Sequence, residues 1–394
     1  MLSRRHFLAA ASAAATAACT TPNKSGVISQ NSLMGDVPSL NNIAESSGLR
    51  FGNAIAFWGD GAGEGGNRPD NPFNDIKYME LVKTHCGIVV PENEFKRYTV
   101  QPVPGDYRFE RANGIAKFAA DNNMGLRGHT LLWNRDTYMP QWVQDLDFNA
   151  ASAEAHLDTY FGDLISNFNG QVYSWDVVNE TIDTETGKLR ETVFTKALGP
   201  GVIDTAFRIA KSHAPNAQLV YNDYMSWEKH SATHRKGVLK LLEDLKKRGT
   251  PIDALGIQGH LGTYAGDPVT GFADSNDKAD WLNFLQEVRA MGLDVTITEF
   301  DVNDERLTAD VTKRDQIVAD YAREYLDMTL DFENVKEILS WGLVDHHSWL
   351  QDFWPREDGL DKRGTPFDKN YQPKLLFTAL ADSMATAPKR APLV

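Results

Sequence analysis

Eight short apolar runs, each followed by enough chain for a helix, constrain the fold of this sequence more than any other feature. They are Phe51–Phe57, Ile88–Pro91, Leu126–Trp133, Val172–Val178, Gln218–Tyr221, Ala254–Gln258, Val295–Phe300 and Ile338–Val344. Among the intervening stretches, Ala151–Phe168, Val202–Ser212, His234–Arg248, Lys278–Met291 and Thr312–Asp331 repeat apolar residues at helical spacing. Strand alternating with helix eight times predicts an α/β fold, a single-domain (β/α)8 TIM barrel. A chain of 394 residues can build the large core that such a barrel needs. No repeat, charge block or Gly/Ser-rich boundary divides residues 39–386, so they read as one barrel domain, with 387–394 as a C-terminal tail.

In a barrel of this kind the C-terminal strand ends gather at one face, where active sites sit. Two of these ends carry glutamate: Glu180 after Trp175-Asp176-Val177-Val178-Asn179, and Glu299 in Thr296-Ile297-Thr298-Glu299-Phe300-Asp301. One such glutamate usually marks only a strand meeting solvent. Two, delivered by the fourth and seventh runs, would face each other across the barrel mouth. Acetal cleavage needs one carboxyl as acid and another as nucleophile or base, so the pairing suggests a glycosidase. Other strand ends agree: His129 and Trp133 in the third, Gln258 and His260 in the sixth, and Trp341 in the eighth. Tryptophan suits sugars because a flat indole covers their apolar C–H faces.

These blocks resemble those of glycoside hydrolase family 10, the endo-β-1,4-xylanases, over residues 39 to 385. The resemblance implies that Glu180 is the acid/base and Glu299 the nucleophile of a retaining double displacement on xylan. It implies that His260 and Asp301 orient the nucleophile and keep it ionised, and that Asn179 binds the sugar 2-hydroxyl. Glu92, Asn93 and Lys96, in Pro91-Glu92-Asn93-Glu94-Phe95-Lys96, would hold the non-reducing side of the substrate; His129, Trp133, Gln258, Trp341 and Trp349 would make further sugar contacts. The expected partners are xylan and xylo-oligosaccharides, without a cofactor. Two other readings stand beside this one. The first is a related retaining barrel glycosidase acting on another β-glycan, and the second a xylan-binding barrel without catalysis. The Gly128–Trp133 and Gly256–His260 blocks favour xylan, and the presence of both glutamates favours turnover.

The sequence departs from the family at Arg97, where tryptophan is common, at Asn134, where histidine is common, and at Leu350, where arginine is expected. The stretch Trp133–Pro140 is also two residues longer than usual. Arg97 is expected either to pair with a nearby carboxylate or to reach towards acidic xylan decorations. Trp58, Trp175, Trp227 and Trp281 are expected in the core. His346-His347 invites a metal reading, but adjacent histidines on a strand would point to opposite faces, and no zinc-type spacing accompanies them. No metal site is expected.

Composition narrows the partners. With 40 basic and 54 acidic residues the formal charge is -14, which disfavours nucleic acid and anionic membranes and leaves a neutral substrate as the easier fit. Ser3-Arg4-Arg5-His6-Phe7-Leu8 before an Ala-rich stretch reads as a twin-arginine export signal over residues 1–19, too short for a permanent membrane span. Residues 20–38 read as a linker. A periplasmic or secreted monomer is expected. Of the 2 cysteines, Cys19 ends the signal, so no disulfide forms within the mature domain. Thr16-Ala17-Ala18-Cys19 loosely resembles a lipoprotein site without the usual aliphatic residue, which leaves a lipid anchor at Cys19 as an alternative.

Overall fold

A computed structural model describes residues 37–57, 71–168, 170–262, 275–353 and 355–393. The export signal, Cys19, nearly all of the linker, and Trp58 lie outside these described residues. Eight parallel strands form the barrel: β1 (Arg50–Ile55), β2 (Ile88–Pro91), β3 (Gly125–Trp133), β4 (Val172–Asn179), β5 (Gln218–Asp223), β6 (Ala254–Ile257), β7 (Asp294–Val302) and β8 (Val335–Ser340). Each pairs with its neighbour in the chain, and β1 closes the ring against β8. Just past β6, His260–Leu261 runs beside Asp301 and Val302 of β7, which sets His260 next to Asp301.

The strands lie where the apolar runs place them, with one large shift. The eighth run is expected from Ile338, yet β8 begins at Val335 and includes Lys336 and Glu337. Glu337 is fully buried inside the barrel. It accepts hydrogen bonds from Tyr173 Oη (2.7 Å) and Arg50 Nη1 (3.2 Å) and faces Arg127 at 3.9 Å. Apolar patterning reads such a charge as loop, whereas its partners make burial tolerable.

Helices cover the outer face of the sheet, and the core between them holds Trp175, Trp227 and Trp281, all fully buried as expected. Trp227 Nε1 donates to Tyr321 Oη (2.7 Å) and Trp281 Nε1 to Thr329 Oγ1 (3.0 Å). Trp175 lies so close to β3 that a Cβ on Gly128 would stand 2.1 Å from its ring, which explains a glycine there. Helix Ala150–Asn167 starts at a capping box between Asn149 and Ser152. The final helix, Leu375–Thr386, is followed by residues that fold back onto the bottom of the barrel. Arg390 donates from its guanidinium to the carbonyls of Leu330 (2.7 Å), Val335 (2.8 Å) and Phe332 (3.2 Å), and from its backbone N–H to Ser47. Gly48 makes room for this clasp: its φ is +78°, and a Cβ would sit 2.1 Å from the Arg390 carbonyl oxygen.

Candidate active site

The C-terminal face opens into a cleft lined by Glu180 and Glu299, with Glu92, Asn93, Lys96, Trp133, Gln258, His260, Trp341 and Trp349 around them. Asp301 stands just behind His260, while His129 and Asn179, each 1% exposed, form a layer beneath the two glutamates. The resemblance singles out these thirteen positions, and the fold brings them all to one end of the barrel.

Glu180 is the first residue past β4 and adopts a left-handed φ of +53°. A side chain with a Cβ occupies that region only where its surroundings enforce it. Here the Glu180 N–H donates to the Asn222 carbonyl on β5 (3.0 Å), which holds the turn. The carboxyl accepts from Gln258 Nε2 (3.0 Å) and Asn179 Nδ2 (3.4 Å) at Oε1, and from Arg135 Nη1 (3.0 Å) at Oε2.

Glu299 lies within β7 and is 5% exposed. Asn222 Nδ2 donates to its Oε1 (2.8 Å), His260 Nε2 stands 3.3 Å from Oε2, and His129 Nε2 lies 4.0 Å from Oε1. Burial alone would raise this acid, but His129, His260 and Lys96 outweigh it and hold the carboxyl at about 2. His260 is braced from behind by Asp301, whose Oδ1 is 2.9 Å from Nδ1. Burial favours the neutral ring, yet Asp301 and Glu299 together lift His260 to about 10. Both ring nitrogens therefore donate, one to each carboxylate. The other Asp301 oxygen accepts the indole N–H of Trp349 (2.7 Å), whose ring leans over His260 at 4.9 Å.

The loop after β2 is tied to itself. Lys96 Nζ donates to Asn93 Oδ1 (3.3 Å), and Tyr98 Oη donates to the same atom (2.6 Å). Buried Glu94 accepts from the backbone N–H groups of Asn93 (3.0 Å) and Phe57 (2.8 Å). The Lys96 ammonium lies over Trp133 at 4.6 Å and faces Trp341 at 5.7 Å, so cation and rings share one wall. Burial and neighbouring Glu94 raise Glu92 to about 7, against the pull of Lys96.

The departures resolve individually. Arg97 meets no carboxylate among the described residues: its Nη2 meets Gln101 Oε1 (2.9 Å) and His156 Nε2 (2.7 Å), and its guanidinium lies between Tyr160 (4.1 Å) and Trp142 (5.0 Å). It sits as a flat cation between the two rings. Asn134 is a buried brace from β3 to the loop after β4, donating to Thr181 Oγ1 (2.7 Å) and accepting from Thr192 Oγ1 (2.8 Å). Leu350 is fully buried.

Sequence reasoning missed Asn222, whose amide bonds both Glu299 and Asn179 (2.9 Å). The fifth apolar run stops at Tyr221, one residue short of it; its polar strand tip is the available signal. Arg135 and Tyr138 were missed as well. They sit on the stretch Trp133–Pro140, Arg135 against Glu180 and Tyr138 stacked on Trp133 at 3.8 Å. Nothing in this loop's sequence says which way it folds. His346 and His347 also differ from expectation: they occupy a single 3-10 turn, Asp345–His347, rather than a strand.

A (β/α)8 barrel that presents an ionised carboxylate clamped by a histidine, opposite a second carboxyl in a tryptophan-walled cleft, has the architecture of a glycoside hydrolase. The chain belongs to glycosyl hydrolase family 10, whose sequence profile matches residues 39–383. It is 31% identical over 351 residues to endo-1,4-beta-xylanase B of Thermotoga neapolitana, covering 89% of this chain and 92% of the relative. It is 32% identical over 316 residues to the beta-1,4-xylanase of Dictyoglomus thermophilum, covering 77% and 84%. Among solved structures, xylanase 10B from Thermotoga petrophila RKU-1 in complex with xylobiose aligns with a TM-score of 0.75 at 30% identity, over 90% of this chain and 98% of the other. Native xylanase 10B from Thermotoga maritima gives 0.74 at 30% identity, over 88% and 98%.

Proposed function

We infer that the protein is an endo-1,4-β-xylanase that hydrolyses internal linkages of xylan with retention. The observation that carries the assignment of roles is the difference between the two carboxyls. Glu299 is held ionised by donors on both oxygens and by the His260–Asp301 pair, as a nucleophile must be. A Glu299 oxygen attacks the anomeric carbon, the bond to the leaving sugar's oxygen breaks, and that oxygen takes a proton from Glu180. Water then gives a proton to the Glu180 carboxylate while its oxygen displaces Glu299 from the anomeric carbon. Both Glu180 oxygens accept hydrogen bonds, one from buried Gln258 and the other from Arg135, whose side chain is 31% exposed.

The xylobiose in the Thermotoga petrophila structure supports xylan as the substrate here. On this reading Glu92, Asn93, Lys96, Trp133, Gln258, Trp341 and Trp349 contact sugar directly. Asn179 offers its amide to a 2-hydroxyl, and His129 Nε2, which makes no hydrogen bond and lies 4.0 Å from Glu299, would turn to a sugar hydroxyl. We further propose that the twin-arginine segment exports the protein and that it works as a monomer; its acidity suits a neutral polysaccharide better than nucleic acid. Among the described residues no helix is long and apolar enough to cross a membrane.

Proton NMR during xylohexaose cleavage tests the central reading. The β-anomer should appear first, with internal cuts dominating the products; an α-anomer first, or turnover of another β-glycan but not of xylan, overturns it. Fractionation of cells making Arg4→Lys/Arg5→Lys protein tests export, which requires the precursor to stay inside.

A further inference from the structure

The catalytic machinery leaves one sequence feature unused, the His346-His347 pair. Their 3-10 turn rotates successive side chains by about 120° rather than 180°, and the two rings lie side by side with centroids 4.1 Å apart. Both Nε2 atoms converge on one oxygen of Asp75, which stands at 2.9 Å from His347 and 3.7 Å from His346. The candidate ligand atoms of all three residues lie within 4.8 Å of one another.

We propose that Asp75, His346 and His347 form a binding site for a transition-metal dication of the zinc or nickel kind. A tetrahedral ion with bonds of about 2.0 to 2.1 Å separates its ligand atoms by about 3.3 Å, and the two observed separations straddle that value. Two imidazoles and one carboxylate select zinc, nickel, cobalt or copper over magnesium and calcium, which prefer all-oxygen shells. The carboxylate is oriented from outside the site, as metal-bound carboxylates generally are. Its Oδ1 accepts the backbone N–H groups of Lys77 (3.0 Å) and Tyr78 (3.1 Å) at the start of helix Ile76–His85, and Tyr371 Oη donates to Oδ2. The His346 side chain is 36% exposed, so solvent reaches the site and water can complete the coordination.

The position gives such an ion a consequence. Asp75 belongs to the segment after β1, whereas His346 and His347 lie between Trp341 and Trp349 in the loop after β8. A bound ion would cross-link the two loops and stiffen the segment that carries Trp349. It takes no part in bond cleavage.

The test is calorimetric titration of tag-free, chelator-dialysed protein with ZnCl2 and, separately, MgCl2, with thermal melts of the same samples. The expected result is one zinc per chain, a raised melting temperature, and no magnesium binding. His346→Ala should weaken zinc at least tenfold while melting normally without metal, because this ring is partly in solvent; His346→Gln, which keeps the bulk, should do the same. Absence of zinc binding in the wild type, equal binding of magnesium, or undiminished zinc binding in both variants overturns the proposal.

Discussion

Glu180 and Glu299 carry the same functional group and differ only in what surrounds it, so their replacements should fail differently. Glu180→Ala is expected to lose about 10²- to 10⁴-fold on xylan, the usual worth of a general acid. On aryl xylosides with good leaving groups it should still show a burst, and azide should restore turnover with retained configuration. Glu299→Ala should do neither, and identical behaviour of the two on such substrates would reverse the assignment. Arg97 gives a second contrast. Because it sits between Tyr160 and Trp142 rather than in the cleft, Arg97→Ala should destabilise the protein by about 1 to 3 kcal/mol in urea unfolding. Its kcat/KM should change equally on neutral and glucuronic-acid-bearing xylo-oligosaccharides; a change confined to the acidic ones would place Arg97 in substrate recognition.

At the scale of the element, β7 delivers Glu299 and Asp301 two residues apart, and the short segment after β6 slots His260 between them. This trio should govern the pH response. Glu299, lowered from 4.5 to about 2, contributes stability that is full above its unfolded value and is lost as pH falls from 4.5 through 2. His260, raised from 6.5 to about 10, contributes stability that is full below 6.5 and is lost as pH rises from 6.5 through 10. His260→Asn should therefore cost most between pH 5 and 6 and least near pH 10, and should move the acid limb of kcat/KM upward; denaturation and rate profiles across that range check both. Much of this was legible beforehand because strands announce themselves by apolar runs and a barrel sends their ends to one face. What escaped was set by tertiary contacts. Glu337 hides in a strand because Arg50 and Tyr173 wait for it, Asn222 stands one residue past an apolar run, and Arg135 rides on a loop whose path only packing decides.

Over the whole molecule, closure at the bottom depends on residues that the sequence sets apart as a tail. Arg390 fastens the segment before β8 to the one before β1, so Arg390→Ala should cost about 2 to 4 kcal/mol by stranding several buried carbonyls. Truncation after Thr386 should cost at least as much, with kcat/KM on xylan unchanged at low temperature; urea melts of both variants measure it, and no loss would show the clasp to be incidental. At the opposite end, Asp301 holds His260 with one oxygen and the Trp349 indole with the other. Cleft wall and nucleophile are thus joined by one chain of hydrogen bonds, and a sugar that displaces the wall also pulls on the reacting carboxylate. Such a ligand would be filtered by slow turnover after binding as well as by weak binding, so the enzyme checks the shape of what it holds a second time at the moment of reaction.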